Sequence, residues 1–313
     1  MVIKLGIIGS GYMAREYLRA AKIVKDVEIT TLISRNKLTA KSLAKEFAVP
    51  MVLNRIDDIK FSQVDVLVIC VSETSTLEVV AECLSLGVPL LVEKPLGLTL
   101  SEALLLEHKA LTSSIPVFVA LNRRFYASTL CVMRELDELS SKRYVHVVDQ
   151  EDTIAAKAAG VSQRVVENWS FANSIHIIDY ISFLCRGEPK LLSKDRIDLS
   201  SQAFIVKAEI EFSLGDFASY MCYWNAPAGW RVDINVEDTA WQLAPLENAR
   251  RRELQDRKYV DYSLDVLDLE YKPGLVRLLE DVVKFMNGNS HSLVSIVEGN
   301  RTMRLIEMIY SDA

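Results

Sequence analysis

The stretch from Ile3 to Ala21, IKLGIIGSGYMAREYLRAA, constrains this chain more than any other. Lys4 to Ile8 is a short apolar run of the kind that forms a buried parallel strand. Gly9-Ser10-Gly11-Tyr12-Met13-Ala14 follows at once as a G-x-G-x-x-A turn, and Met13, Tyr17, Leu18 and Ala21 then repeat with helical spacing. That order is what a dinucleotide site needs. Gly9 permits the tight turn, Gly11 lets the backbone approach a pyrophosphate, and Ala14 keeps the helix close to the strand. The helix N-terminus offers unpaired N–H groups and a partial positive charge to the phosphates. A glycine turn without a ligand would use the same residues, but the placement between a strand and a helix favours the nucleotide site.

The alternation continues for 120 residues. Val27 to Ser34, Asp65 to Val71, Val88 to Val92 and Pro116 to Leu121 read as strands, the second of them apolar enough to be buried on both faces. Lys37 to Phe47, Thr74 to Leu86 and Ser101 to Leu111 read as the helices between them, with Gly87 as a stop. Strands separated by helices imply a doubly wound parallel sheet. Beyond Asn122 the rhythm changes. Helices are expected over 127–139 and 171–185 and a strand over 144–150, followed by four strands without intervening helices at 203–212, 217–224, 231–236 and 239–243. Ser213 to Asp216 reads as a hairpin turn, and helices over 272–286 and 297–310 close the chain. The expectation is therefore an α/β protein of two domains: residues 1–122 for nucleotide binding, and residues 123–313 as an α+β domain on a large, mostly antiparallel open sheet.

The net charge of -6 across 313 residues, with no basic stripe, argues against a nucleic-acid partner. Arg250 to Arg252 form the one compact basic cluster and are expected at a solvated helix end. No apolar run reaches membrane-spanning length, and no signal-peptide pattern is expected at the start. Five widely spaced cysteines (Cys70, Cys83, Cys131, Cys185, Cys222) point to reduced thiols in the cytoplasm, and no cysteine or histidine spacing suggests a metal site.

An acid at the end of the second strand would select NAD(H) by holding the ribose hydroxyls. Here the position reads Ser34-Arg35-Asn36, and the nearest acid, Glu28, lies at the wrong end of the strand. A hydroxyl beside a guanidinium suits a 2′-phosphate, so NADP(H) is preferred and NAD(H) remains the alternative. Glu93-Lys94-Pro95 lies just past the strand 88–92, at the edge where open α/β sheets bind ligands. A lysine there can stabilise a developing alkoxide and exchange a proton with it.

Four features occur together: the GxGxxA turn, Glu93-Lys94-Pro95, Asn122-Arg123-Arg124-Phe125, and a later helix carrying His176-x-x-Asp179. In this order they resemble the Gfo/Idh/MocA family of NAD(P)-dependent oxidoreductases, across nearly the whole chain. The resemblance implies a Rossmann domain followed by a substrate domain, and hydride transfer at a secondary alcohol or ketone of a sugar, cyclitol or sugar derivative. It implies Lys94 as the catalytic lysine, Pro95 as a cis proline and His176 as the histidine near the reacting carbon. It also implies a homodimer or homotetramer paired through the open face of the second sheet. Glycine-turn residues Gly9, Ser10, Gly11, Tyr12 and Met13, together with Ser34, Arg35, Glu93 and Lys94, are the expected cofactor contacts. Lys94, Arg124, Asn173, His176 and Tyr180 are the expected substrate contacts, the last three sharing a helix face by spacing. Asp179 is expected to brace structure. Asn168, Trp169 and the 224–231 loop are expected near the cleft, with Trp230 equally suited to sheet packing. His108, His146 and His291 have no motif context. The family's D-x-G-x-H pattern is broken, because Ala172 stands where the acid belongs. That departure leaves open a nucleotide-binding regulator without turnover; a reductase of an imine or enone is the other alternative.

Overall fold

The computed structural model describes residues 2–60 and 63–311. In chain order it begins with β1 (Ile3–Ile8), α1 (Tyr12–Ala21), β2 (Val27–Ile33), α2 (Lys37–Phe47), β3 (Met51–Leu53), β4 (Val66–Ile69), α3 (Thr76–Cys83), β5 (Leu90–Glu93), α4 (Leu100–Ser113) and β6 (Val117–Ala120). Next come α5 (Ala127–Leu136), β7 (Tyr144–Glu151), α6 (Thr153–Ala158), α7 (Gln163–Glu167), a π-helical turn (Ser170–Ser174) and α8 (Ile175–Leu184). Strands β8 (Pro189–Asp198), β9 (Phe204–Phe212), β10 (Phe217–Trp224), β11 (Arg231–Val236), β12 (Thr239–Leu243), β13 (Ala249–Glu253) and β14 (Val260–Asp261) follow. The chain closes with α9 (Val266–Glu270), α10 (Leu275–Met286), β15 (Val294–Ser295) and α11 (Ile296–Tyr310). It divides into two compact units, Met1–Asn122 with Leu269–Asn300, and Arg123–Asp268 with Arg301–Ala313.

The first unit is built on a seven-stranded sheet in the order β15-β6-β5-β4-β1-β2-β3. Its strands pair in parallel except for β15, which runs antiparallel to β6. β4 and β6 are buried at every residue, which is why they read as unbroken apolar runs rather than alternating ones. On α1, Ala14, Tyr17, Leu18 and Ala21 form the buried stripe; covering a residue such as Leu18 contributes about 2 kcal/mol. The strand order reverses between β1 and β4, so the ends of β1, β4 and β5 share one edge with the topological switch point at its centre. Capping fixes α4: Thr99 Oγ1 accepts from the Glu102 N–H at 3.2 Å while the Glu102 carboxylate accepts from the Leu98 N–H at 2.8 Å. The helix therefore starts one residue earlier than the sequence pattern placed it.

Residues 269–300 were expected in the second domain, but they lie in the first unit. The reason is local. β15 pairs with β6, α10 packs its apolar stripe against α1, and Asn300 donates to the Ala103 carbonyl at 3.0 Å and to Glu107 at 2.6 Å.

The second unit carries an eight-stranded sheet in the order β14-β13-β12-β11-β7-β10-β9-β8, antiparallel except for the β7–β10 pair. Alternation is clean on β9, where Val206, Ala208 and Ile210 are buried and Lys207 and Glu209 are exposed. β7 carries Val145, Val147, Asp149 and Glu151 on the face that α8 packs against. Three strands differ from the sequence expectation, the two-residue β14 among them. Arg250 to Arg252 belong to β13 rather than to a helix end, and Arg250 reaches Gln242 on β12. β8 was not anticipated at all; it is an edge strand with no fully buried residue, so its charged side chains show no inward face.

Candidate cofactor and active-site residues

At Gly9, φ is +119° and an added Cβ would lie 2.1 Å from the Cys70 carbonyl oxygen. Only glycine can bring the end of β1 this close to the end of β4. Gly11 is glycine for the opposite reason: a Cβ there would meet nothing within 4 Å, so the turn keeps open space rather than filling it. Gly11 is also the N-cap of α1, with no side-chain cap and no acid in the first turn, so the first helical amides are left to a ligand. These two glycines fit a pyrophosphate. A cavity of about 500 Å³ runs past Gly9, Ser10 and Gly11 to Ser34, Arg35 and Asn36. Arg55 enters it from beyond β3, and α3 contributes Glu78 and Glu82. Ser34 is tied into the turn: its hydroxyl bonds Ser10 Oγ at 2.9 Å and accepts from the Asn36 N–H at 3.2 Å. Arg35 is exposed, Tyr12 is 64 % exposed, and Met13 is half-buried. Tyr12 and Met13 lie at the head of α1, with the Lys272 ammonium 5.7 Å from the Tyr12 ring.

Lys94 follows β5 on the same edge, half-buried, and the Lys94–Pro95 bond is cis. Its neighbour differs from expectation. The Glu93 carboxylate turns to α1 and accepts from the Tyr17 hydroxyl at 2.8 Å, so it is a link between β5 and α1. Burial lifts the Glu93 carboxyl above its usual range, and the Tyr17 hydrogen bond with the Lys94 and Lys272 charges offsets this only in part.

In the second unit the π-helical turn delivers the chain into α8, and between Phe171 and Ile181 only Asn173 and His176 are not buried. His176 faces Trp230, whose ring centroid is 6.2 Å away, and the Arg123 guanidinium sits 4.5 Å over the same indole. Trp230 was expected near the cleft or in sheet packing, and Arg123, which shares its indole with His176, was not singled out in the sequence. Arg123 was visible only as part of an Asn-Arg-Arg-Phe run in which either arginine could face inward. Arg124 was the one expected at substrate, and the structure gives it other work. Its Nε and Nη2 each meet the Asp179 carboxylate at 2.8 Å, Thr302 Oγ1 donates to the same group at 2.8 Å, and both charged side chains are buried. Asp179 thus acts as a brace. Tyr180 also departs from expectation: it is 2 % exposed and its hydroxyl bonds Thr129 Oγ1 at 2.9 Å. Tyr180 lies one turn beyond His176 within α8, so the helical spacing holds; packing encloses the ring, and the hydroxyl is taken by Thr129.

Asn173 donates to Glu151 at 2.8 Å, Ser174 donates to it at 2.9 Å, and Trp169 Nε1 donates to it as well. Burial, then the nearby Asp149, pushes the Glu151 carboxyl up to about 8 despite those three donors. Asp149 accepts from the Tyr220 hydroxyl at 2.7 Å and is raised by burial too. Asn168 and Trp169 line a cavity of about 540 Å³ with Trp224 and Tyr310. Trp230 packs on the sheet through an Nε1 hydrogen bond to the Gln150 carbonyl at 3.2 Å. Among the described residues, no three His, Cys, Asp or Glu side chains are grouped to hold a metal ion, and no helix is long and apolar enough to cross a membrane.

Comparison with known proteins places this geometry. Residues 3–121 match the Gfo/Idh/MocA oxidoreductase family, described as having an NAD-binding Rossmann fold. No curated protein matches the chain. Many solved structures share the fold over almost the whole chain, among them the following three. A levoglucosan dehydrogenase in complex with NADH is 16 % identical with a TM-score of 0.82, covering 98 % of this chain and 95 % of its own. An oxidoreductase from Agrobacterium radiobacter, in complex with NAD+, L-tartaric acid and magnesium, is 16 % identical at a TM-score of 0.79, with 99 % and 96 % covered. UDP-N-acetylglucosamine 3-dehydrogenase from Acidithiobacillus ferrooxidans is 16 % identical at 0.77, with 98 % and 96 % covered. At such identities the likeness establishes the fold.

Proposed function

We propose that this protein, whose residues 3–121 match the Gfo/Idh/MocA oxidoreductase family, is an NADP(H)-dependent oxidoreductase acting on a secondary alcohol or ketone of a sugar-like small molecule. The observation that carries the reading is the open glycine turn and uncapped α1 at the switch point, with Lys94 leaving the neighbouring strand end on the same edge. When bound, the dinucleotide supplies the nicotinamide that accepts or gives the hydride. The chain does the rest. Gly9 and Gly11 shape the turn, the first amides of α1 bind phosphate, and Lys94 holds the proton that the substrate oxygen gains or loses. His176 assists, and Asn173 offers a substrate hydroxyl its amide.

Arg35 supports NADP(H), since a guanidinium beside Ser34 suits a 2′-phosphate. Glu78 and Glu82 in the same cavity favour NAD(H) as the second reading, because carboxylates suit ribose hydroxyls. Arg35→Ala is expected to weaken NADPH about tenfold or more while leaving NADH nearly unchanged. Equal losses for both cofactors in a fluorescence titration would transfer the preference to NAD(H). Named substrates of the structural neighbours, levoglucosan and UDP-N-acetylglucosamine, support a sugar ring. The direct test is NADPH oxidation with a panel of keto-sugars. Lys94→Ala is expected to lower kcat by about 10²–10⁴-fold with cofactor affinity retained. Tight NADPH binding with no oxidation across the panel would instead indicate a regulator that has lost turnover, the outcome that Ala172 makes worth testing. Product analysis separates this chemistry from imine or enone reduction.

Five unpaired cysteines suit a reducing, cytoplasmic setting. Pairing as a homodimer or homotetramer is supported by the open face of the second sheet. There Tyr144 and Phe217 remain exposed beside the Tyr144–Ser219–His146 hydrogen bonds. Sedimentation velocity reads the state directly.

A further inference from the structure

Glu151 ends β7 with 1 % of its surface exposed, yet it is a carboxylate in contact with three donors. All three come from one six-residue stretch: Trp169 Nε1, Asn173 Nδ2 at 2.8 Å and Ser174 Oγ at 2.9 Å. Residues 170–178 contain no acid of their own, and Asp179 is taken by Arg124 and Thr302. A strand 22 positions upstream therefore provides the carboxylate on which this turn is hung. The geometry points to Glu151 as a positioning residue for the half-buried pair Asn173 and His176. This rests on the reading that those two residues serve substrate.

The physical argument has two parts. A primary amide can present either end, and a carboxylate acceptor takes only its NH2 end; with Nδ2 held by Glu151, Asn173 keeps Oδ1 for another donor such as a substrate hydroxyl. Ser174, the N-cap of α8, is anchored to the same group, so the direction in which His176 leaves the helix two residues later is set by Glu151 rather than by the turn alone. Both oxygens are engaged in either protonation state. Oε2 accepts from Trp169 and Asn173, and the Ser174 hydroxyl can rotate to accept when Oε1 carries a proton. Glutamine reproduces that protonated arrangement, whereas alanine removes it.

The test is a kinetic cycle on the full chain, with NADPH and a keto-sugar that the wild type reduces. Glu151→Ala is expected to lower kcat/KM at least about tenfold, with NADPH affinity unchanged. Glu151→Gln should recover it to within about threefold, and the Glu151→Ala/Asn173→Ala pair should be hardly worse than the poorer single variant. A merely structural carboxylate predicts something else: a lower melting temperature with kcat/KM intact, or losses that multiply in the double variant. Either result overturns the proposal, as does a glutamine variant as impaired as alanine. Should Glu151→Ala not fold, Glu151→Asp withdraws the same group by one methylene, and an unimpaired rate there overturns the proposal equally. Lys94→Ala runs alongside. If it is inactive while Glu151→Ala matches wild type, the oxidoreductase reading stands and this inference alone falls. A wild type inactive with every keto-sugar removes both.

Discussion

Two glycines two positions apart hold their places for opposite reasons, and substitution separates the reasons. Gly9→Ala drives a Cβ into the Cys70 carbonyl at a φ of +119°. It is expected to cost about 3 kcal/mol or more in a urea titration. Gly11→Ala puts its methyl into empty space at an ordinary backbone angle, so stability should change by no more than about 1 kcal/mol. Under the proposed function the same methyl stands where the pyrophosphate approaches, and NADPH affinity should fall about tenfold or more. An alanine at 11 that bound cofactor normally would mean that the turn does not hold the pyrophosphate. Both glycines were legible in the sequence, because the chemistry of a phosphate turn lies within six consecutive residues. Arg123 and Arg124 show the opposite case. The two are adjacent, and only the fold decides which meets Asp179 and which caps the Trp230 indole.

The π-helical turn into α8 and the strand beneath it set the second cluster. Arg124 and Asp179 form a buried ion pair, so Asp179→Ala leaves an uncompensated guanidinium and should destabilise the second unit by about 3–5 kcal/mol. All four tryptophans (Trp169, Trp224, Trp230, Trp241) belong to that unit, so intrinsic fluorescence follows its unfolding selectively. An intact midpoint would show that other partners satisfy Arg124. Elements were read from sequence wherever a period was visible. β9 through β12 were read as four strand-like segments without helices between them, and β1 and β4 as unbroken apolar runs. β8 was not, because an edge strand shows no inward face, and β13 was not, because its arginines are half-buried and engage side chains, Arg250 with Gln242 on β12 and Arg251 with Glu253 on its own strand. Tyr180 keeps its helical spacing from His176, but spacing carries no sign that its hydroxyl is buried against Thr129. Glu151 escaped notice because a strand and a helix 22 positions apart meet only once the sheet has formed.

Across the whole molecule, buried acids tie stability to pH. Glu151 titrates at about 8 in the folded chain, against about 4.3 when unfolded, so the folded state holds a proton that the unfolded state releases. The stability this gives is fully present below the unfolded value, falls as pH rises, and is gone above about 8. Fluorescence midpoints in urea should therefore decline between about pH 5 and pH 8, by no more than about 1.4 kcal/mol per pH unit from this one site. Glu151→Gln should flatten the curve; an unchanged slope would assign the dependence to other groups. The sequence divided the chain once, near Asn122, whereas the first unit takes back residues 269–300, because β15 is only two residues long and carries no periodic signal. That return has a consequence for biosynthesis. A nascent chain that has emerged only as far as Asn122 has β6 with one side unpaired and α1 without the cover of α10, and it must wait for some 150 further residues before either is satisfied. During that interval the ribosome presents a sticky half-made sheet to chaperones, and release at Asn122 by a premature stop would yield an aggregating fragment rather than a free-standing cofactor binder.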